Sequence, residues 1–316
     1  MKSIKVIAPG TAANVGPGFD VFAIALKQPY DILEVEVKEN GGIELEVSGY
    51  SVPTEPRKNT GGYVALRMIE SFKIKDGLRI KLQKNIPPAM GIGSSASSAA
   101  GVAYCINKLF DLNLPIDALI QFASYGEIVS AGDAHADNVA AVIQGGFSIV
   151  VSREPLHVTH LEPPEDMGIV IATPNIEKGS TKLSREAVPR ELPIINLRDN
   201  VGHASLLAIG MALKNLEYIK LGMNDVVVEP ARVRYGIFRE FSKLKKLGQE
   251  LNAGISGSGA GPSILGIIEK ERREELAKGM KEIFENAGYH CDLYITEAGE
   301  GIRESLMSTS FSKEAR

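Results

Sequence analysis

The chain has 316 residues, of which 44% are hydrophobic and 23% charged, and a formal net charge of −4. That length suits two domains of about 150 residues, each able to bury a core. An acidic balance without a block of Lys or Arg argues against nucleic acid as a partner, and no stretch approaches the roughly 18 apolar residues of a membrane span.

The N-terminus starts at once with strand-like alternation over Ile4–Ala8 and lacks the apolar core of a secretory signal. The two cysteines, Cys105 and Cys291, lie far apart and belong to no metal-spaced cluster. They are expected as reduced, buried side chains of a cytoplasmic protein. After the first strand, Pro9 to Asp20 holds three glycines and two prolines in twelve residues and predicts a rigid loop. Within it Asn14 and Asp20 are polar groups able to fix a small polar ligand; an Asx-turn, with Asp20 capping the next element, is the structural alternative.

Alternating segments at Ile32–Val37 and Ile43–Val47, separated by Glu39-Asn40-Gly41-Gly42, predict a β-hairpin. Asn59 stands as an N-cap before a helix whose apolar side carries Val64 and Ile69. Leu78, Ile80 and Leu82 mark a strand. The stretch Pro87-Pro88-Ala89-Met90-Gly91-Ile92-Gly93-Ser94-Ser95-Ala96-Ser97 follows it. Gly91 and Gly93 permit conformations closed to residues with a Cβ and let a ligand approach the main chain. The alanines beyond Ser95 favour a helix, so the turn feeds a helix N-terminus, where unpaired N–H groups and the dipole attract an anion. Phosphate is the natural guest.

Two other phosphate loops are excluded. No G-x-x-x-x-G-K-[ST] occurs, and the match of Gly91–Ala96 to G-x-G-x-x-[GA] lacks both a tight strand-to-turn junction and an acidic residue about 20 positions on. Beyond the first helix, Pro115–Ile128 predicts a second, with Ile116, Ile120, Ala123 and Glu127 on one face. A carboxylate on a buried stripe needs a cation, which an ion pair or a metal would each supply. The run His135-Ala136-Asp137-Asn138 is dense in polar groups, and Gly145–Val151 predicts the strand that closes the first domain. A proline-bearing connection at Arg153–Asp166 divides the chain into 1–155 and 156–316. In the second half Gly168–Ala172 is a strand, and Arg185 and Arg232 offer guanidinium forks suited to a carboxylate. Asn200–Leu216 predicts a helix with Leu206, Ile209, Gly210 and Leu213 inward, and Lys243–Lys246 a solvated face. Ala253–Ser263 is a third glycine-rich segment, and Ser308–Arg316 a frayed tail.

The form P-x-x-x-G-[LI]-G-S-S-A, matched from Pro87 to Ala96, resembles the second motif of the GHMP kinase family. Pro9–Asp20 and Ala253–Ser263 resemble its first and third motifs, so the likeness spans residues 9 to 263. The fold it implies is α+β in two domains, the first ribosomal-S5-like and the second ferredoxin-like, with the site between them. It implies an ATP-dependent small-molecule kinase in which Asn59, Pro88 and the loop Gly91, Ile92, Gly93, Ser94, Ser95, Ala96 and Ser97 bind the nucleotide, while Ser95 and Glu127 hold Mg²⁺. Within the family the Gly16-Pro17-Gly18-Phe19-Asp20 and His135–Ala140 runs resemble the homoserine kinase form. That likeness implies L-homoserine as acceptor, bound by Asn14, Asp20, His135, Asn138, Arg185 and Arg232, with Asp137 and Asn138 nearest the chemistry; the sequence leaves the oligomeric state open, a homodimer being one option. Another small alcohol, mevalonate or a sugar, and a non-catalytic ATP-binding sensor are the competing readings.

Overall fold

The computed structural model describes residues 2–39, 41–176 and 181–305, without the side chains of 181 and 182. Asn40, in the expected turn, and the tail from Ser308 lie outside the described residues.

Strand β1 (Ser3–Ala13) runs antiparallel to the 17-residue β2 (Phe22–Lys38). Residues 9–13, expected as loop, continue the strand past a register shift between Pro9 and Thr11. They do so because this stretch is wholly buried and ladder pairing is what satisfies a buried backbone. Strand β3 (Ile43–Gly49) does not close the expected hairpin on β2. It pairs in parallel with β4 (Gly77–Lys84), which lies between them, after a crossover through α1 (Thr60–Phe72). Parallel neighbours need such a helical connection, and the alternately half-buried and exposed residues of β3 suit an edge.

Helix α2 (Ser94–Leu109) packs on this sheet through small residues, with Ala96, Ala99, Ala100 and Ala103 all solvent-free. The predicted Pro115–Ile128 helix is broken into α3 (Ile116–Ser124) and α4 (Glu127–Ala131). The junction lies at Gly126, where a Cβ would come within 2.7 Å of Ala99 Cβ. Ile120, Ala123 and Glu127 are buried as expected, whereas Ile116 at the helix start is exposed. Helix α5 (Asp137–Gln144) leads into β5 (Phe147–Arg153), which pairs with β2 and forms a hairpin with β6 (Leu156–Leu161). The expected 155/156 boundary therefore falls inside a hairpin of the first sheet.

The second sheet begins with β7 (Met167–Pro174), every residue of which is buried. Helices α6 (Thr181–Glu186), α7 (Ile194–Ala212), α8 (Leu216–Gly222), α9 (Val228–Arg234) and α10 (Phe241–Leu251) come next. Strands β8 (Gly254–Gly257) and β9 (Ile264–Glu269), helix α11 (Arg273–Asn286) and β10 (Cys291–Thr296) complete the unit. Its antiparallel order β10-β7-β9-β8 is that of a ferredoxin-like domain. A short β11 (Arg303–Glu304) returns to pair with β1.

One apolar cluster joins the sheets, with Ala12, Phe22 and Ile24 of the first packed with Ile169 and Leu265 of the second and Leu207 of α7. The inward face of α7 is Leu207, Gly210 and Met211, while Ile209 and Leu213, expected inside, are exposed. This helix is apolar around much of its circumference, so periodicity alone selects no face. Both cysteines are free and buried.

Candidate active site

Three glycine-bearing loops meet where the sheets face each other. The first helical bond of α2 is Ser97 N to Gly93 O at 2.9 Å, so the amides of Ser94, Ser95 and Ala96 precede the helical ladder. Gly93 has φ +74°, and a Cβ there would lie 2.0 Å from Thr11 Oγ1. Gly91 has φ +77°, and a Cβ there would meet the Ser258 carbonyl at 2.4 Å. The third loop, 253–263, is stitched to the others. Ser258 Oγ donates to the Gly91 carbonyl at 2.8 Å, Gly259 N to the Ala13 carbonyl at 2.8 Å and Gly16 N to Ser256 Oγ at 2.8 Å.

Asn59, Pro88, Gly91, Gly93, Ser94, Ser95, Glu127 and Asn138 line one cavity of about 420 Å³. Ile92, Ala96 and Ser97 do not face it; their side chains are buried, and Ser97 Oγ donates to the Ala8 carbonyl at 3.1 Å. Asn59 caps α1, accepting from Gly62 N at 3.1 Å, and its amide donates to the Pro53 carbonyl at 2.8 Å.

Glu127 is buried beside the start of α2. Its Oε2 accepts from Ser95 Oγ at 3.1 Å and Ser130 Oγ at 3.2 Å, whereas Oε1 is buried without a partner. Burial pushes this carboxyl up to about 7, against the pull of the Ser95 hydroxyl. An orphaned carboxylate oxygen next to a hydroxyl at an anion-binding helix start is a donor set that fits a hard divalent cation completed by phosphate and water. No cluster of three or more His, Cys, Asp or Glu side chains suited to a metal occurs among the described residues, so phosphate and water would have to complete the shell.

Across Asn138 lies a second, more highly charged subsite. Asn138 is anchored by Thr11, whose hydroxyl donates to Oδ1 at 2.6 Å. Asp137, at the start of α5, is buried, and burial followed by Asp20 raises its carboxyl to about 6. Asp20 pairs with Arg185 Nη2 at 2.8 Å. The same Arg185 nitrogen lies 2.9 Å from His135 Nδ1, which Arg153 Nη2 approaches to 2.6 Å. A guanidinium can only donate, so His135 Nδ1 is the acceptor and its proton sits on Nε2, a buried atom without a partner. Burial holds this imidazole down at about 4, and it is neutral near pH 7.

Asn14 is bonded on both sides of its amide. Its Oδ1 accepts from Asp20 N at 2.9 Å and its Nδ2 donates to the Gly259 carbonyl at 2.9 Å, so it braces Asp20 against the third loop. Both residues have positive φ, 60° and 58°, a region asparagine and aspartate enter more readily than most. Arg232 is buried, donating to the Ser184 carbonyl at 3.2 Å and the Gly259 carbonyl at 2.7 Å. Arg185 and Arg232 both lie over the Phe19 ring, at 5.6 and 5.5 Å.

Sequence reasoning missed Arg153, Phe19 and Thr11 as parts of this site. Arg153 ends an unremarkable strand and has no motif to mark it, whereas Phe19 and Thr11 stand inside the first glycine loop that the motif already delimits. Lys245, read as part of a solvated face, instead turns inward to the Ile255 carbonyl at 2.6 Å and the Glu229 carboxylate at 3.3 Å.

Known proteins resemble this chain in sequence and in fold. Residues 60–146 match the family model of the GHMP kinases N terminal domain, and residues 207–286 that of the GHMP kinases C terminal. The chain is 42% identical over 305 residues to a homoserine kinase of Methanococcus maripaludis, covering 95% of this chain and 98% of that one. It is 36% identical to a homoserine kinase of Thermoplasma volcanium, at 95% and 96% coverage. Among solved structures, the homoserine kinase of Cytophaga hutchinsonii superposes with a TM-score of 0.89 at 33% identity, over 96% of this chain and 98% of that one. The mevalonate kinase of L. major, at 16% identity and a TM-score of 0.71 over 94% and 96%, shares the fold.

Proposed function

The chain belongs to the GHMP kinases, in their homoserine kinase branch, and from that membership we propose that it transfers the γ-phosphoryl group of ATP to the hydroxyl of L-homoserine. The products are ADP and O-phospho-L-homoserine, an intermediate of threonine biosynthesis. The observation that carries the acceptor assignment is the Asp20–Arg185 pair at 2.8 Å, set beside Asp137 and Asn138. A carboxylate and a guanidinium paired with each other present the two charges complementary to an α-amino acid, whose ammonium and carboxylate would exchange with them. Arg232 supplies a second guanidinium over the Phe19 ring.

Phosphoryl transfer depends mainly on positioning and on stabilising spread negative charge. In this reading the amides at the start of α2 cradle the phosphates, Ser95 and Glu127 hold Mg²⁺, and the Thr11–Asn138 bond orients the Asn138 amide between donor and acceptor. When bound, Mg²⁺ would neutralise phosphate charge and orient the transferring group. His135, neutral with its proton on Nε2, offers one donor to the acceptor subsite. Asp137 is the candidate to receive the hydroxyl proton, since a carboxyl near 6 is partly ionised at neutral pH and close to the optimum for a general base.

A coupled assay of ADP release with homoserine, mevalonate and galactose tests the acceptor: homoserine-dependent release is expected, and its absence would overturn the assignment. Asp137→Asn tests the base. A loss of about 10²-fold or more in kcat with unchanged homoserine affinity is the result expected of a general base; a near-normal rate removes that role.

A further inference from the structure

Lys84 is shut away from solvent, at 2% exposure, and its partner Asp31 is at 0%. An ammonium carries three N–H donors and no acceptor. Those of Lys84 find Asp31 Oδ2, the Ser94 carbonyl at 2.7 Å and Ser98 Oγ at 2.9 Å. The other Asp31 oxygen accepts from Asn85 N at 2.8 Å and Ile86 N at 2.9 Å. Ser94 Oγ in turn donates to the Ile86 carbonyl at 2.8 Å. One ion pair therefore clamps both feet of the phosphate loop: Asp31 holds the residues leading into it and Lys84 holds the first turn of α2 that leaves it.

Burying two charges is a poor way to stabilise a fold, because well-packed apolar residues of similar size often do as well or better. A cation fixed behind the first turn of α2, and bordering the same cavity as Ser94 and Ser95, has an electrostatic consequence that an apolar pair would lack. Although Asp31 offsets the charge of Lys84, the ammonium bonds the first turn of α2, at the end of the helix that already favours anions.

We propose that Lys84, anchored by Asp31, is a positioning residue of the phosphoryl-transfer site, which fixes the arc of the phosphate loop and raises its affinity for polyphosphate. This inference rests on reading the cavity as the nucleotide site. It deepens that reading by separating the phosphate-specific part of binding from the part made by the base and sugar.

The test uses the full-length protein as Lys84→Met and as the neutral pair D31N/K84Q, in which the asparagine keeps an acceptor for the two loop amides. Calorimetric binding of ADP with Mg²⁺ is compared with binding of adenosine, and KM for ATP with KM for homoserine. Expected is a loss of about 10- to 100-fold in ADP affinity and a rise of similar size in KM for ATP, the range typical when a residue that orients binding groups is removed. Adenosine affinity and KM for homoserine stay within about twofold. ADP affinity at the parental level in a cooperatively folded variant overturns the proposal, and so does an equal weakening of ADP and adenosine, which marks a general packing role. Should D31N/K84Q fail to fold, K84M carries the same comparison. Failure of the parent protein to bind ADP would remove the nucleotide reading itself; ADP binding without homoserine-dependent turnover would remove only the acceptor assignment.

Discussion

In the proposed reading, the donor and acceptor halves of this site are built from different materials. The phosphate side is main chain: helix amides, glycines at positive φ and carbonyls stitched to a third loop, with buried side chains such as Ser97 and Lys84 holding it from behind. The acceptor side is side chain, with Asp20, His135, Arg153 and Arg185 converging from four separate segments and bonding one another. A main-chain cradle is complete before its ligand arrives. A cluster of paired charges must exchange partners to admit one, and so it trades some affinity for discrimination, because an acceptor lacking either charge leaves one member of the Asp20–Arg185 pair without compensation.

The sharpest way to break this contrast is to wedge the rigid half apart. Gly91→Ala would push a Cβ against three backbone atoms of the third loop, the closest at 2.4 Å, at a φ of +77°. We expect about 3 kcal/mol or more of destabilisation by chemical denaturation and loss of ATP binding; retention of both would show that the seam gives way easily. On the other half, Asp20→Asn should raise KM for homoserine about 10- to 100-fold while leaving KM for ATP within about twofold, as removing one member of a partly desolvated charge pair does. An equal effect on both substrates would mean that the halves are not separable.

His135 tests the bonded network by pH. Its imidazole falls from an ordinary 6.5 to about 4 in the folded chain, so between those values the folded state binds fewer protons than the unfolded one. The contribution is intact above pH 6.5 and drains away as pH falls through about 4. His135→Gln, which keeps an acceptor for the two arginines, should remove this slope, worth up to about 3 kcal/mol across the window; parallel stability curves for parent and variant would contradict it. The smallest effect is expected from Asn59→Ala. Loss of the cap on α1 should cost about 1 kcal/mol in thermal unfolding, with little change in turnover if Asn59 is a brace rather than a base-reading group.

The same contrast decides what the sequence could reveal. Glycine loops and helix starts are local, so Pro87–Ser97 announces its own conformation, and the capping role of Asn59 is legible from the residues that follow it. The charged cluster is not local. Nothing in the neighbourhood of Arg153 predicts that its guanidinium reaches His135, because a β-hairpin register and the start of α5 together set that distance. The β2–β3 hairpin failed for a related reason: turn chemistry at Gly41-Gly42 reports a reversal of the chain but cannot tell that β4, arriving later, takes the place between them. Lys245 shows the limit of composition, since a basic run says nothing about which of its members finds a buried carboxylate.

The stitches between the glycine loops also bear on how the protein comes into being. Asn14 and Gly259 are 245 residues apart in sequence, Gly16 and Ser256 240, and Ser258 and Gly91 167. Contacts of such long sequence separation close late, after much of the loop entropy has been surrendered. A nascent chain that has formed its first sheet therefore still lacks the seam that shapes the phosphate cradle until residues near 260 emerge. Nucleotide binding would then be a property of the finished chain, and the nucleotide, by binding only that state, would draw folding toward completion.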